Sequence, residues 1–246
     1  MNAYQEDLAY IHESGFTRLA RGAAQEIKAR LPSIGNGRQK IVELGCGGGT
    51  LAELLCQDGL DVIGYDLSPD MIELASARVP DGTFHVGSFV DVQFPECNAV
   101  VAIGEVFNYL FDERNDATVF ESVLERIHDC LRPGGMLLFD VAGPQRAQAL
   151  SSQSFVHGDD WTVLVTTARA DNVLTREITS FRNVDELYRR ADEVHRLQLL
   201  DPDITSNLLK KSGFEVEQLS AYGAQRCPVG LYVFAATKPD GLGALL

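Results

Sequence analysis

The segment Ile41-Val42-Glu43-Leu44-Gly45-Cys46-Gly47-Gly48-Gly49-Thr50 constrains this chain more than any other. A short apolar run enters a glycine cluster, and apolar residues then recur at helical spacing at Leu51, Leu54 and Leu55. The pattern predicts a buried strand, a tight turn and a helix start. Gly45, Gly47 and Gly49 lack a Cβ, so the backbone there can take positive φ and a ligand can lie against it. The next apolar run, Val62-Ile63-Gly64-Tyr65, ends at Asp66. A carboxylate at the end of the second strand of such a βαβ unit suits a ribose diol, because it accepts two hydroxyl hydrogen bonds.

Two cofactor classes use this arrangement. Dinucleotide enzymes want G-x-G-x-x-G, with a pyrophosphate at the helix N-terminus. Here Thr50 stands where the last glycine would be, and the pattern is E-x-G-x-G-x-G from Glu43 to Gly49. An acid just before the loop suits a cofactor that carries a positive charge. At these residues the sequence resembles the class I S-adenosylmethionine-dependent methyltransferases, whose first motif is [D/E]-x-G-x-G-x-G with an acid closing strand two. The resemblance implies S-adenosylmethionine as cofactor, held around Glu43, Gly45, Cys46, Gly47, Thr50 and Asp66. It implies Leu67 and Met71 along the adenine, and the end of the third strand, Gly87-Ser88-Phe89, at the base. The family commonly has Gly-Asp at that point, the Asp accepting from the adenine amino group. The Ser88 hydroxyl can accept the same bond without charge, and Asp91 is the alternative acceptor.

Residues 4 to 31 carry apolar positions at helical spacing, including Leu8, Ile11, Phe16, Leu19, Ala23 and Ile27. Gly15 interrupts them, and Pro32, Gly35 and Gly37 end them. Residues 1–38 are therefore expected to form an N-terminal helical cap. The resemblance implies that such helices cover the acceptor, which makes Tyr4, Tyr10, His12 and Phe16 lid candidates. Ser68 is placed as the N-cap of the next helix, with Pro69 at its first position. The near-continuous apolar run Ala99–Ile103 predicts a central parallel strand covered on both faces. In open α/β sheets the carboxyl ends of the strands carry the site. This puts Gly104, Glu105, Asn108 and Tyr109 where a methyl donor meets its acceptor, with Phe107 and Leu110 as walls.

A helix is expected from about Asp112 to Cys130, then Leu131-Arg132-Pro133-Gly134-Gly135 and a fifth strand over Met136–Val141. L-x-P-G-G before an apolar strand is a further mark of the same family. Three stretches after Pro144 alternate in part and are rich in Thr, Val and Ile: 161–168, 173–181 and 188–199. They predict a small antiparallel sheet inserted over residues 145–200, either above the acceptor pocket or serving as a dimer interface or scaffold. A last helix begins at Asp201-Pro202-Asp203, and 214–219 and 231–236 close the sheet. The expected fold is α/β, doubly wound: a single domain over 1–246 with a seven-stranded, mostly parallel sheet whose last strand is antiparallel.

The net charge of −14 argues against a nucleic-acid partner, which needs a basic surface. It leaves a small neutral or cationic acceptor as the expectation, in a monomer or homodimer. No apolar run approaches the ~20 residues needed to span a bilayer. The five cysteines form no C-x-x-C pair, so neither a metal site nor a disulfide framework is indicated, and a reducing cytoplasm fits.

Methyl transfer from a sulfonium is an in-line displacement in which positive charge disperses, so an oxyanion hole has nothing to stabilise. Catalysis then rests on near-attack positioning and exclusion of water. A base is needed only where the acceptor must lose a proton. His12 and His195 are the candidates, since an unperturbed imidazole titrates near ~6.5. Glu105 and Tyr109 are the candidates for orienting the acceptor. The competing readings are a nicotinamide-dependent oxidoreductase, disfavoured by Glu43 and Thr50, and a cofactor-binding protein without turnover.

Overall fold

The computed structural model describes residues 4–15, 17–31, 38–149 and 152–240. Two helices, α1 (Glu6–Gly15) and α2 (Arg18–Arg30), come first. The βα alternation follows: β1 (Lys40–Leu44), α3 (Thr50–Gln57), β2 (Asp61–Asp66), α4 (Pro69–Arg78), β3 (Thr83–Val86), β4 (Cys97–Ala102), α5 (Ala117–Cys130) and β5 (Leu131–Ala142). A short helix α6 (Pro144–Ala149) leads to β6 (Gln153–His157), β7 (Trp161–Ala170), β8 (Val173–Val184) and β9 (Leu187–Gln198). The chain closes with α7 (Pro202–Lys211), β10 (Glu215–Leu219), the two-residue strands β11 (Ala221–Tyr222) and β12 (Gln225–Arg226), and β13 (Leu231–Thr237).

The main sheet has seven strands in the order β10-β13-β5-β4-β1-β2-β3. β5, β4, β1, β2 and β3 pair in parallel, and β13 runs antiparallel to both β5 and β10. The period-2 pleat sorts the apolar run of each central strand onto two faces. Val42, Val100, Ala102, Leu137 and Phe139 pack with α5 and α7, while Ile41, Ala99, Val101, Met136 and Leu138 pack with α2 and α3. Each such fully buried Val, Leu, Ile or Phe contributes roughly 1.5–3 kcal/mol relative to exposure. That burial fixes the strand ends, and hence the loops that leave them.

Several elements depart from the sequence reading. α5 begins at Ala117 because the Asp116 side chain accepts from the N–H groups of Thr118 and Val119 and caps it there. β5 starts at Leu131, five residues before the apolar core of the strand. The inserted sheet has four antiparallel strands, in the order β6-β7-β8-β9. The additional strand, β6, is exposed along its whole length and so lacks the apolar alternation that marks the other three. Ser68 caps α4 as expected, its hydroxyl accepting from Met71 N–H at 3.2 Å. Pro32, Gly35, Gly37 and Phe16 lie outside the described residues. No helix among the described residues is long and apolar enough to cross a membrane.

Candidate active site

β1 and β4 are neighbours at the centre of the sheet, and both chain segments turn sharply where they leave it. Gly45 has φ +64, and a Cβ there would lie 2.6 Å from Val106 Cγ2 in the segment leaving β4. The two loops can approach this closely only with glycine on one side. Gly104 has φ +95, and a Cβ placed on it would meet no atom within 4 Å, so its backbone faces open space. Asp140, fully buried at the end of β5, fixes the second loop. Its carboxylate accepts from Gly104 N (2.9 Å), Glu105 N (2.6 Å) and the Tyr222 hydroxyl (2.8 Å). Burial drives its pKa up to about 6, against the opposing pull of those three donors.

A cavity of about 660 Å³ opens at these strand ends, within the ~300–1,000 Å³ of small-molecule sites. It runs from the glycine loop to the inner face of the inserted sheet, where Val163, Val165 and Ile178 line it. Glu43, Gly45, Cys46, Gly47, Thr50, Asp66, Leu67, Met71, Gly87, Phe89, Gly104 and Glu105 all contribute to the wall, as do His12 and Tyr109. The Asp66 carboxylate accepts from Gly47 N at 3.0 Å and Ser68 N at 2.9 Å. Each oxygen keeps a second lone-pair direction for another donor. Burial raises its pKa, opposed by those two N–H bonds. One oxygen of Glu43, Oε2, is buried without a hydrogen-bond partner, and desolvation pushes this carboxyl well above the usual carboxylate range. A buried unpaired acid oxygen beside a glycine cradle fits a ligand that brings a positive charge or an N–H donor.

Other expected residues lie elsewhere. His195 does not line the cavity. Glu193, His195 and Leu197 share the inward parity of β9, and His195 is 1% exposed. Its Nε2 pairs with Glu193 Oε2 at 2.9 Å, while the Glu193 carboxylate accepts from Tyr4 N (3.0 Å) and Gln5 N (2.9 Å) just ahead of α1. His195 therefore anchors the start of the helical cap, packed among Tyr4, Tyr109 and Phe111. Asn108 is likewise structural: its amide donates to Ala142 O and Gln198 O and accepts from Ala142 N, tying the β4 exit to the insert. Phe107 and Leu110 are not part of the wall, and Phe107 belongs to the core under the sheet. Tyr10 points away, donating to Asp160 beneath the Arg182 guanidinium.

Ser88 also turns from the cavity, donating its hydroxyl to Asp112 Oδ2 at 2.7 Å. Asp112 lines the wall in its place, while Asp91 is exposed in a two-bond pair with Arg114. Hydrogen bonds from Arg114 hold the Asp112 carboxyl down at about 2.

Glu13, Arg146 and Arg176 line the cavity without having been anticipated, while Tyr4 is a lid candidate that does line it. Glu13 reaches from α1 onto the glycine loop, accepting from the Thr50 hydroxyl at 2.7 Å and from Arg78. Burial raises its pKa, but the His12 and Arg78 hydrogen bonds outweigh that and hold it at about 2. Tyr4 donates or accepts at Tyr109 Oη, 2.9 Å away, and closes the cavity from the N-terminal side. Arg146 Nε and Arg176 Nη2 reach the two oxygens of Glu105 at 2.9 and 2.8 Å. Burial favours the neutral acid at Glu105, yet the two guanidiniums prevail and keep its pKa below the usual value. Arg176 carried a sequence signal, since it shares strand parity with the buried Leu174 and Ile178. An arginine on the core face of a strand needs a partner.

The sheet order, the glycine-rich first loop and the acid closing the second strand form the arrangement expected of an adenosyl-cofactor site. Residues 41–135 match the methyltransferase-domain family. A protein of Geobacillus sp. (strain WCH70) named as a methyltransferase is 26% identical over 91% of this chain and 94% of its own length. The fold matches an S-adenosylmethionine-dependent methyltransferase of Clostridium acetobutylicum (TM-score 0.79, 15% identity, 95% and 98% of the two chains). It also matches CalS10 of Micromonospora echinaspora, an amino pentose methyltransferase solved with S-adenosylmethionine (TM-score 0.72, 21% identity, 97% and 99%). Residues 41–135 thus carry a methyltransferase domain, and the whole chain has the fold of S-adenosylmethionine-dependent methyltransferases.

Proposed function

We propose that this enzyme methylates a nitrogen or oxygen nucleophile of a small molecule held between the glycine loop and the inserted sheet. The observation that carries the reading is one cavity, continuous from Gly45–Gly47 through Gly104 to the aliphatic face of β7 and β8. A space lined by both regions has room for two small reactants side by side. CalS10 acts on an amino pentose, which is of the same size class.

S-adenosylmethionine supplies an electrophilic methyl group. Asp66 holds the ribose hydroxyls, and Glu43 meets the cationic end with its unpaired oxygen. Leu67, Met71 and Phe89 flank the adenine, and Asp112 accepts from its amino group, the role Ser88 cannot take from where it points. Tyr4, His12 and α1 exclude water over the reacting atoms. Glu105 is no base here: clamped by two guanidiniums it stays ionised and gives up its proton affinity. It positions Arg146 and Arg176 instead.

His12 is the group able to take a proton from a hydroxyl acceptor. Its Nδ1 lies 3.2 Å from Glu13 Oε1, a carboxylate that orients the ring. An amine acceptor that arrives unprotonated needs no base and is served by positioning alone. A cytoplasmic monomer or homodimer accords with the scattered thiols and the acidic surface.

The test is release of S-adenosylhomocysteine with panels of small amines and small alcohols. Acceptor-dependent release with either panel supports the reading. Tight S-adenosylhomocysteine binding with no release for any small nucleophile would falsify the small-molecule acceptor.

A further inference from the structure

The Glu105 cluster has a charge imbalance on the insert side of the cavity. Two guanidiniums share one carboxylate, and all three side chains line the wall. Asp140 is close in the chain fold but does not line the cavity, and Gly104, Glu105 and Tyr222 occupy its carboxylate. The other lining acids are already matched: Glu13 by Arg78, and Asp112 by Arg114. Glu43 and Asp66 stand beside the glycine loop, where the cofactor's cation belongs on the reading given above. One positive charge thus remains over on the insert side, in a wall that is otherwise largely Val, Leu and Ile. A charge left uncompensated in such a setting is costly, and an anion that pairs with it recovers that cost.

Arg146 is the better presented of the two. It contacts Glu105 through Nε alone. Among the described residues its two terminal nitrogens make no hydrogen bond, and the side chain is 18% exposed and lines the cavity. That leaves the forked edge of the guanidinium, the edge that binds an oxyacid through two parallel N–H bonds. Arg176 supplies the second charge and hydrogen-bonds Tyr109 as well.

We propose that the methyl acceptor carries an anionic oxyacid group, carboxylate or phosphate, which Arg146 receives on its terminal nitrogens with Arg176 behind it. The group anchors the acceptor at the insert while its nucleophile faces Gly104. Glu105 keeps both guanidiniums aimed and separated. This reading rests on the small-molecule acceptor proposed above and narrows its chemistry.

The full-length protein, saturated with S-adenosylhomocysteine, is titrated calorimetrically with phenyl phosphate, phenylacetate and the neutral phenylacetamide. At least one anion should bind about tenfold or more tightly than the amide, the factor one charge-assisted hydrogen bond supplies. The arm that binds separates phosphate from carboxylate. Arg146→Gln should abolish the preference, and Arg146→Lys, which keeps charge but loses the fork, should retain part of it. Equal binding of the amide, no binding of either anion, or an unchanged preference in Arg146→Gln overturns the proposal. So does an Arg146→Gln protein that loses affinity for S-adenosylhomocysteine but not for 5′-methylthioadenosine, since the arginine would then serve the cofactor's own carboxylate. Wild-type protein that fails to bind S-adenosylhomocysteine at all would instead remove the underlying reading, so the two failures are distinct.

Discussion

Replacing Asp66 by alanine tests the cofactor site at its most local point. The carboxylate has two jobs in the structure. It accepts from Gly47 N and Ser68 N, at 3.0 and 2.9 Å, and so joins the glycine loop to the start of α4. It also lines the cavity with a further acceptor direction on each oxygen. A hydrogen bond to a charged group contributes roughly 1.5–3 kcal/mol. Loss of one such net contribution toward the ribose raises Kd about 10- to 150-fold, at about 1.4 kcal/mol per factor of ten. Asp66→Asn, which keeps one acceptor oxygen, should fall between. The assay is calorimetric titration with S-adenosylhomocysteine on variants whose circular dichroism matches the wild type. Because burial raises the Asp66 pKa, wild-type affinity should also weaken as the pH falls through that raised value and the carboxylate protonates. A folded Asp66→Ala protein with Kd within about twofold of wild type, against the ~10-fold minimum, would sink the assignment.

Three further outcomes follow from the geometry. His12→Ala should cut turnover by ~10²–10⁴ with a hydroxyl acceptor and little with an unprotonated amine, as read by S-adenosylhomocysteine release. Equal losses with both acceptors would contradict the base role. Glu105→Gln leaves two guanidiniums without their carboxylate. Breaking a buried pair costs about 3–5 kcal/mol, and at roughly 2–4 °C per kcal/mol for a chain of this size the melting midpoint should fall by about 6–20 °C in scanning calorimetry. An unchanged midpoint would mean that the cluster contributes nothing. Asp140 makes stability pH-dependent with a definite sign. Its folded pKa, about 6, lies above the ordinary 3.8, so its stabilising contribution is full below that ordinary value and is lost as pH rises through about 6. The separation corresponds to about 3 kcal/mol. In urea titrations the stability difference between wild type and Asp140→Asn should change by about that amount across this window, and a constant difference would contradict the assignment.

What was legible in the sequence is what is local along the chain. The glycine loop, Asp66 and the Ser68 cap each declare themselves within a few residues, and each stands where its spacing put it, whereas L-x-P-G-G, read as the stop between helix and strand, lies inside β5. The two central parallel strands were legible in the apolar runs at Ile41–Leu44 and Ala99–Ile103. The lid and the insert were readable as elements but not as partners. Whether Glu13 or Tyr10 faces the glycine loop depends on how α1 docks, which is a long-range packing outcome. The same holds for His195, whose inward parity was visible in β9 while the Glu193 carboxylate waiting beside Tyr4 was not. Ser88 was placed correctly in the chain. Its orientation was set by Asp112, 24 residues on, and so was the substitution of Asp112 for Asp91 as the lining acid. Arg176 could have been found from its parity with Leu174 and Ile178, whereas Arg146, on a six-residue helix, offered no such signal.

The decisive measurement is a crystal structure with S-adenosylhomocysteine, because everything above depends on one cavity that joins the glycine loop to the insert and brings both reactants together. The ribose hydroxyls should lie on Asp66, and the sulfur should sit at Gly104, facing His12 and Tyr109. A sulfur more than ~10 Å from both side chains, beyond hydrogen-bond reach even through one water, or a ribose away from Asp66, would contradict that arrangement.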